Sequence, residues 1–135
     1  MTSLRFAVIG AGRLGASLAL ALRAKGPRLL GYTAATPTGL AKAQGWLAGA
    51  PAATLEELVS HAPDMYFVTV PDSELQGVAS RLADLLEPTR IQTVIHTSGA
   101  TSVQVLGPCA LKGATTLKFH PLQTFATVAY AIENI

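Results

Sequence analysis

Acidic residues are missing from the first 55 positions of this sequence, and cysteine and charge are scarce throughout. Glu56 is the first carboxylate, and charged residues make up only 13% of the chain. A single cysteine, Cys109, excludes an internal disulfide and favours a reducing cytoplasm. The formal net charge of +2 is too small to indicate a nucleic-acid partner. No apolar run is long enough to cross a bilayer, so we expect a cytoplasmic protein without a membrane partner. We also expect no metal site.

Apolar runs alternate with helical patterns along the 135 residues, a length typical of one domain, residues 1–135. Strands are predicted at residues 4–9, 28–33, 65–70, 91–96, 114–119 and 127–132. Helices are predicted at residues 13–25, 38–47 and 101–106, and Gly107-Pro108 should end the last of these. A capping box formed by Thr54 and Glu57 predicts the start of another helix. A further helix should begin with Asp72 or Ser73 as its cap and run to residue 86. This alternation predicts an α/β fold: a doubly wound, mostly parallel sheet with helices on both faces.

A glycine pattern joins the first predicted strand to the first helix. Gly10, Gly12 and Gly15 form G-x-G-x-x-G, with Arg13 and Leu14 inside it. In this context the first glycine permits a tight turn, the second leaves room for a pyrophosphate, and the third lets the helix approach the sheet. The start of the helix would offer its N–H groups to the phosphates. We therefore expect these five residues to bind a dinucleotide in a Rossmann sheet; the alternative is a glycine-rich turn in an ordinary α/β protein.

The end of the second predicted strand favours NADP over NAD. NAD sites usually place a carboxylate there to bind the ribose hydroxyls. This chain has the hydroxyls of Thr33, Thr36 and Thr38 instead, in a basic first third of the sequence. Arg13 is the best candidate to contact a 2′-phosphate, and a solvated arginine in the first helical turn is an equally good interpretation.

Three polar segments follow later strands and should border the same crevice as the glycine turn, since parallel strands end at one edge. They begin at Val70, His96 and Lys118. His96 and His120 are candidates to donate or accept a proton, although a single histidine is more often structural. Ser98 is either a further site residue or a simple turn residue.

These segments resemble a known family. The motifs are Gly10-Ala-Gly-Arg-Leu-Gly15, Val70-Pro-Asp72, His96-Thr-Ser-Gly-Ala100 and His120-Pro-Leu-Gln-Thr-Phe125. Together they resemble a family of Rossmann-like oxidoreductases of unassigned substrate, described as NADP-dependent or deazaflavin-dependent, related to pyrroline-5-carboxylate reductase, ketopantoate reductase and 6-phosphogluconate dehydrogenase. The resemblance implies a nicotinamide across Val70 and Pro71 and near Ser98 and His120.

Members of that family continue into a helical C-terminal domain, which we expect to be absent from these 135 residues, so that the chain is either a piece of a longer protein or a stand-alone cofactor domain. In the wider group that domain closes the substrate pocket and mediates dimerisation, so a homodimer would form mainly through it. The expected function is that of an NADP(H)-binding domain of an oxidoreductase, which transfers hydride between nicotinamide and a small carbonyl, imine or alcohol substrate. NAD or deazaflavin is the less expected cofactor, and we expect the isolated chain to be inactive. A non-catalytic NADP(H) sensor and a module for another nucleotide remain alternatives.

Overall fold

Five parallel strands form the centre of the structure, a computed structural model that describes residues 4–118. They are β1 (Arg5–Ile9), β2 (Arg28–Tyr32), β3 (Met65–Val68), β4 (Thr93–His96) and β5 (Thr115–Lys118). All four neighbouring pairs are parallel, in the order β2-β1-β3-β4-β5. The predicted parallel sheet is therefore confirmed, with strands slightly shorter than expected, and the strand predicted at 127–132 lies outside the described residues.

Helices connect the strands on both sides of the sheet. They are α1 (Arg13–Ala24), α2 (Pro37–Trp46), α3 (Leu55–Ser60), α4 (Asp72–Leu85), a 3-10 turn at Val103–Leu106 and α5 (Gly107–Leu111). Between residues 4 and 118 no helix combines the length and the apolar character that crossing a membrane requires.

Alternate residues of the three central strands, β1, β3 and β4, enter two separate cores. In β1, Phe6 and Val8 pack in a cluster with α1 and α2, whereas Ala7 and Ile9 pack in a cluster with α3, α4 and α5. The same alternation continues in β3, where Phe67 joins the first cluster and its neighbours join the second. Because both faces of every central strand are covered, the strands read as continuous apolar runs. The predicted doubly wound arrangement is confirmed.

Helix starts show where local sequence rules succeed and fail. The predicted capping box is present: Thr54 Oγ1 accepts from the Glu57 backbone N–H, and the Glu57 carboxylate accepts from the Thr54 N–H. The prediction that Asp72 or Ser73 caps α4 is wrong, because Pro71 occupies the cap position and no side chain caps the helix. Asp72 instead lies in the first turn, where its charge suits the helix dipole.

The segment Gly107-Pro108 ends the 3-10 turn at Leu106, as predicted, and also begins a helix, which was not predicted. The 3-10 turn runs directly into α5, and Pro108 lies in the first helical turn. The missing N–H of a proline costs nothing there, since the first N–H groups of a helix have no partner within it. The predicted end at Leu106 is therefore correct, but the helix that starts directly after it was missed.

The strand order defines a crevice at one edge of the sheet. From β1 the chain first forms β2 on one side of β1 and then crosses to β3 on the other side. The connections after β1 and β3 therefore leave the sheet in opposite directions. In open α/β sheets such a point, at the carboxyl ends of the strands, is where ligands bind.

Candidate functional site

Hydrogen bonds from two strands hold the glycine turn after β1. The backbone N–H groups of Gly10 and Ala11 donate to Oγ1 and O of Thr33, at 2.9 and 2.8 Å. On the other side, the Thr69 hydroxyl donates to the Gly10 carbonyl at 2.8 Å. Thr33 follows β2 and Thr69 follows β3, so the turn is fixed at the point where the strand order reverses.

Two of the three glycines are required by close packing. Gly10 has a φ of +91°, and a Cβ there would lie 2.6 Å from the Val70 side chain. A Cβ on Gly15 would lie 2.5 Å from Thr69 Oγ1 and 3.0 Å from the Gly10 carbonyl. These contacts are the physical reason for the first and third glycines of the pattern: a tight turn, and a helix pressed against the sheet.

Gly12 differs from its neighbours in the pattern because it faces open space. A Cβ there would meet nothing within 4 Å, and its φ of −81° is accessible to any residue. The fold therefore does not require a glycine at this position. The open space leaves room for a ligand directly above the backbone.

The start of α1 leaves backbone donors without partners. Gly12 is the N-cap, no side chain caps the helix, and its first turn holds no acidic residue. The first bond back to the turn is from Ala16 N to Gly12 O, at 2.9 Å. The N–H groups of Arg13, Leu14 and Gly15 thus have no acceptor within the helix. Together with the helix dipole they form a site suited to a phosphate.

A cleft of about 380 Å³ extends from the glycine turn along the end of β2. Of the predicted site residues, Gly10, Thr33 and Val70 line it. The other lining residues are Ile9, Ala34, Ala35, Ala53, Thr54, Leu55, Glu56, Glu74, Val78 and Arg81. The other predicted site residues that the structure describes do not line it, although Pro71 directly follows Val70; they are Gly12, Arg13, Leu14, Gly15, Pro71, His96 and Ser98.

Three charged residues of the cleft were missed by the sequence prediction. Glu56 at the start of α3 and Arg81 in α4 form an ion pair, with Arg81 Nη2 3.1 Å from Glu56 Oε1. A backbone hydrogen bond and the Arg81 guanidinium lower the pKa of Glu56 below its usual value. Glu74 of α4 lines the same cleft. No short-range pattern signals these residues, because helices far apart in sequence bring them to the end of β2.

Most basic residues in the first third of the sequence lie away from the site, although their number suggested a positive environment for a phosphate. Arg5 and Arg28 begin β1 and β2, at the edge of the sheet opposite the glycine turn. Arg23 and Lys25 lie at the far end of α1. Of this group, Arg13 lies at the edge where the site is, so the basic composition itself does not create a positive cleft.

His96, predicted to transfer a proton, is buried at the end of β4 with both ring nitrogens in hydrogen bonds. Nδ1 must accept, because the Ser98 backbone N–H donates to it at 3.1 Å, and Nε2 therefore donates to the Ser102 carbonyl at 3.1 Å. Burial is the main cause that lowers the pKa of His96, and Lys118 acts in the same direction. This geometry is that of a neutral histidine that holds the loop in place. It favours a structural role for His96 and not the proton transfer that the sequence predicted.

Ser98 is held in the turn that follows β4. Its Oγ accepts from the backbone N–H groups of Ala100 and Thr101, at 3.3 and 3.2 Å, and lies 3.1 Å from Thr101 Oγ1. Lys118 Nζ closes the same turn by donating to the Gly99 carbonyl at 3.2 Å. These bonds match the turn interpretation of Ser98. His120, the other candidate for proton transfer, lies outside the described residues.

Solved structures of several dehydrogenases and reductases share this fold. Biliverdin reductase from Synechocystis sp. PCC 6803, in complex with biliverdin and NADP+, is 13% identical with a TM-score of 0.68, over 88% of this chain and 38% of that one. Prephenate dehydrogenase from A. aeolicus, in complex with hydroxyphenyl propionate and NAD+, is 17% identical with a TM-score of 0.69, over 90% and 43%. UDP-N-acetylglucosamine 3-dehydrogenase from Acidithiobacillus ferrooxidans is 17% identical with a TM-score of 0.70, over 99% and 42%. At this identity the likeness shows the fold.

The chain spans about two fifths of the length of these three proteins. No curated protein matches the sequence. The family model of the Rossmann-like domain matches residues 1–121, which is most of the chain. The chain therefore belongs to the Rossmann-like domain family.

Proposed function

We propose that this chain is the NADP(H)-binding domain of an oxidoreductase. The observation that carries the proposal is the uncapped start of α1 beneath open space at Gly12, at the point where the strand order reverses. A pyrophosphate there would accept from the backbone N–H groups of Arg13 and Leu14. Gly10 and Gly15 keep the turn and the helix in place around it.

Two of the similar structures support a nicotinamide dinucleotide, since one contains NADP+ and the other NAD+. When bound, such a cofactor supplies hydride transfer to or from a small carbonyl, imine or alcohol carbon. This chain's own residues would bind and orient it: the glycine turn would hold the phosphates, and the nicotinamide end would lie across Val70, which lines the cleft, and Pro71, which follows it.

NADP(H) is the proposed cofactor because the loop after β2 offers hydroxyl groups. Thr33 lines the cleft, and the next residues of the loop carry no carboxylate. Glu56 and Glu74 reach the cleft from α3 and α4 and not from the loop after β2, and the positive charge of Arg81 offsets that of Glu56. The proposed proton donor is His120, because His96 is enclosed by its own hydrogen bonds.

For the whole protein we propose a cytoplasmic oxidoreductase whose substrate pocket is completed by a helical domain outside this chain. A homodimer would form mainly through that domain. The chain by itself would then bind cofactor without turnover.

Replacing Gly12 with valine tests the phosphate site. The side chain would enter the space above the start of α1 without touching the rest of the fold. We expect the dissociation constant of NADPH, measured by calorimetry and by nicotinamide fluorescence, to rise at least about 100-fold, which is about 2.7 kcal/mol.

The matched control is Gly45→Val in α2, where a Cβ also meets nothing within 4 Å and which does not line the cleft. Gly45→Val should bind NADPH like the wild type, and urea unfolding should show both variants folded. Wild-type affinity in Gly12→Val would refute the proposed site.

A further inference from the structure

One basic side chain enters the cleft beside the end of β2. Within residues 4–118, Arg81 is the only lysine or arginine that lines the cleft; Arg13, favoured by the sequence, is absent from the lining. Thr33 and Ala34 lie in the loop after β2 and line the same cleft. In dinucleotide-binding sheets, the residues at the end of this strand distinguish a ribose hydroxyl from a 2′-phosphate.

The partner of Arg81 is one that a ligand can displace. Arg81 Nη2 contacts Glu56 Oε1 at 3.1 Å, and the two side chains are 65% and 57% exposed. Exposed ion pairs of this kind contribute only about 0.2–1 kcal/mol. A phosphate dianion offers the guanidinium a stronger, bidentate partner than this single contact.

Glu56 does not depend on Arg81 to remain charged. It lies in the first turn of α3, where a carboxylate suits the helix dipole. Its backbone hydrogen bond is the largest cause that lowers the pKa of the Glu56 carboxyl, and the Arg81 guanidinium adds to the effect. Release of the guanidinium therefore leaves no buried or strained charge behind.

We propose that Arg81 is the residue that selects the 2′-phosphate of NADP(H), and that Glu56 holds its guanidinium at the cleft until the phosphate displaces it. This inference rests on the proposed function, and it adds the residue that distinguishes the two cofactors. Without a phosphate, the charges of Arg81 and Glu56 neutralise each other, and Glu74 of α4 is the remaining charged residue of the described cleft lining.

The test compares dissociation constants of NADP+ and NAD+ by calorimetry. Arg81→Gln should weaken NADP+ by about 10- to 100-fold, the loss of one charged hydrogen-bonding partner, and change NAD+ by less than about twofold. Glu56→Gln should bind NADP+ up to about fivefold tighter, since a competing ion pair worth at most about 1 kcal/mol is removed.

Two further arginines serve as controls. Arg28→Gln makes the same charge change at the opposite edge of the sheet and should affect neither cofactor. Arg13→Gln tests the residue favoured by the sequence. Selective loss of NADP+ binding in Arg13→Gln but not in Arg81→Gln would overturn the inference and leave the proposed function standing. Equal weakening of both cofactors in Arg81→Gln, or tighter wild-type binding of NAD+, would also overturn it. A wild-type chain that binds neither dinucleotide would overturn the proposed function as well.

Discussion

At the residue scale, His96 couples the loop after β4 to pH. The folded chain holds its neutral form, because the Ser98 N–H points at Nδ1 and a second proton there would face a donor. The pKa of His96 is therefore lowered, chiefly by burial. A base with a lowered folded pKa contributes stability that is fully present above its unfolded pKa of about 6.5 and is lost as pH falls through the folded pKa.

We expect the free energy of unfolding, measured in urea, to fall between pH 7.5 and pH 5 by more in the wild type than in His96→Asn. Glu56 and Glu57 have pKa values below their usual range and titrate at lower pH, so they do not produce this difference. His61 is exposed and present in both proteins, and His61→Asn is the matched control. An identical pH dependence in His96→Asn and wild type would contradict the conclusion that the fold holds His96 in its neutral form.

At the element scale, the contact between α1 and the sheet depends on Gly15. Its Cα lies so near Thr69 and the Gly10 carbonyl that an added methyl group would overlap both. Backbone cannot move aside as a flexible side chain would, so we expect Gly15→Ala to destabilise the fold by about 1–3 kcal/mol in urea unfolding.

The contrast is with Gly45→Ala, in the exposed part of α2, where the added methyl group has free space. Alanine there should stabilise the protein by up to about 1 kcal/mol, since it favours the helix. If Gly15→Ala were as stable as Gly45→Ala, the close approach of helix and sheet would not be the reason for the third glycine.

Helix ends show which element boundaries a sequence can predict. The Thr54/Glu57 capping box was predicted correctly because both hydrogen bonds form within one turn. Asp72 and Pro108 were misread, since a cap residue and a first-turn residue have similar local preferences. Packing of the helix on the sheet decides between the two, and this packing is not local.

At the scale of the whole molecule, a bound dinucleotide should stabilise the fold, because the site exists only when β1, β2 and β3 are assembled. NADPH at 100 times its dissociation constant should raise the free energy of unfolding by about 2.7 kcal/mol. At the same NADPH concentration the gain should fall to about 0.4 kcal/mol or less in Gly12→Val and persist in Gly45→Val. Urea midpoints with and without NADPH measure it, and no gain in the wild type would argue against binding to the folded state alone.

The strand–turn–helix context of Gly10, Gly12 and Gly15, with the alternation of apolar runs, was enough to predict a doubly wound parallel sheet and the tight turn that leads from β1 into α1. Both follow from local rules: the period of a strand, the caps of a helix, and the backbone freedom of glycine. The tertiary structure alone decided which charges face the cleft. It brings Glu56 and Arg81 to the end of β2, carries most of the early arginines and lysines to the opposite edge, and buries His96. The physical reason is that a side chain's electrostatic neighbours are set by how distant helices pack on the sheet, which the order of residues along the chain does not reveal.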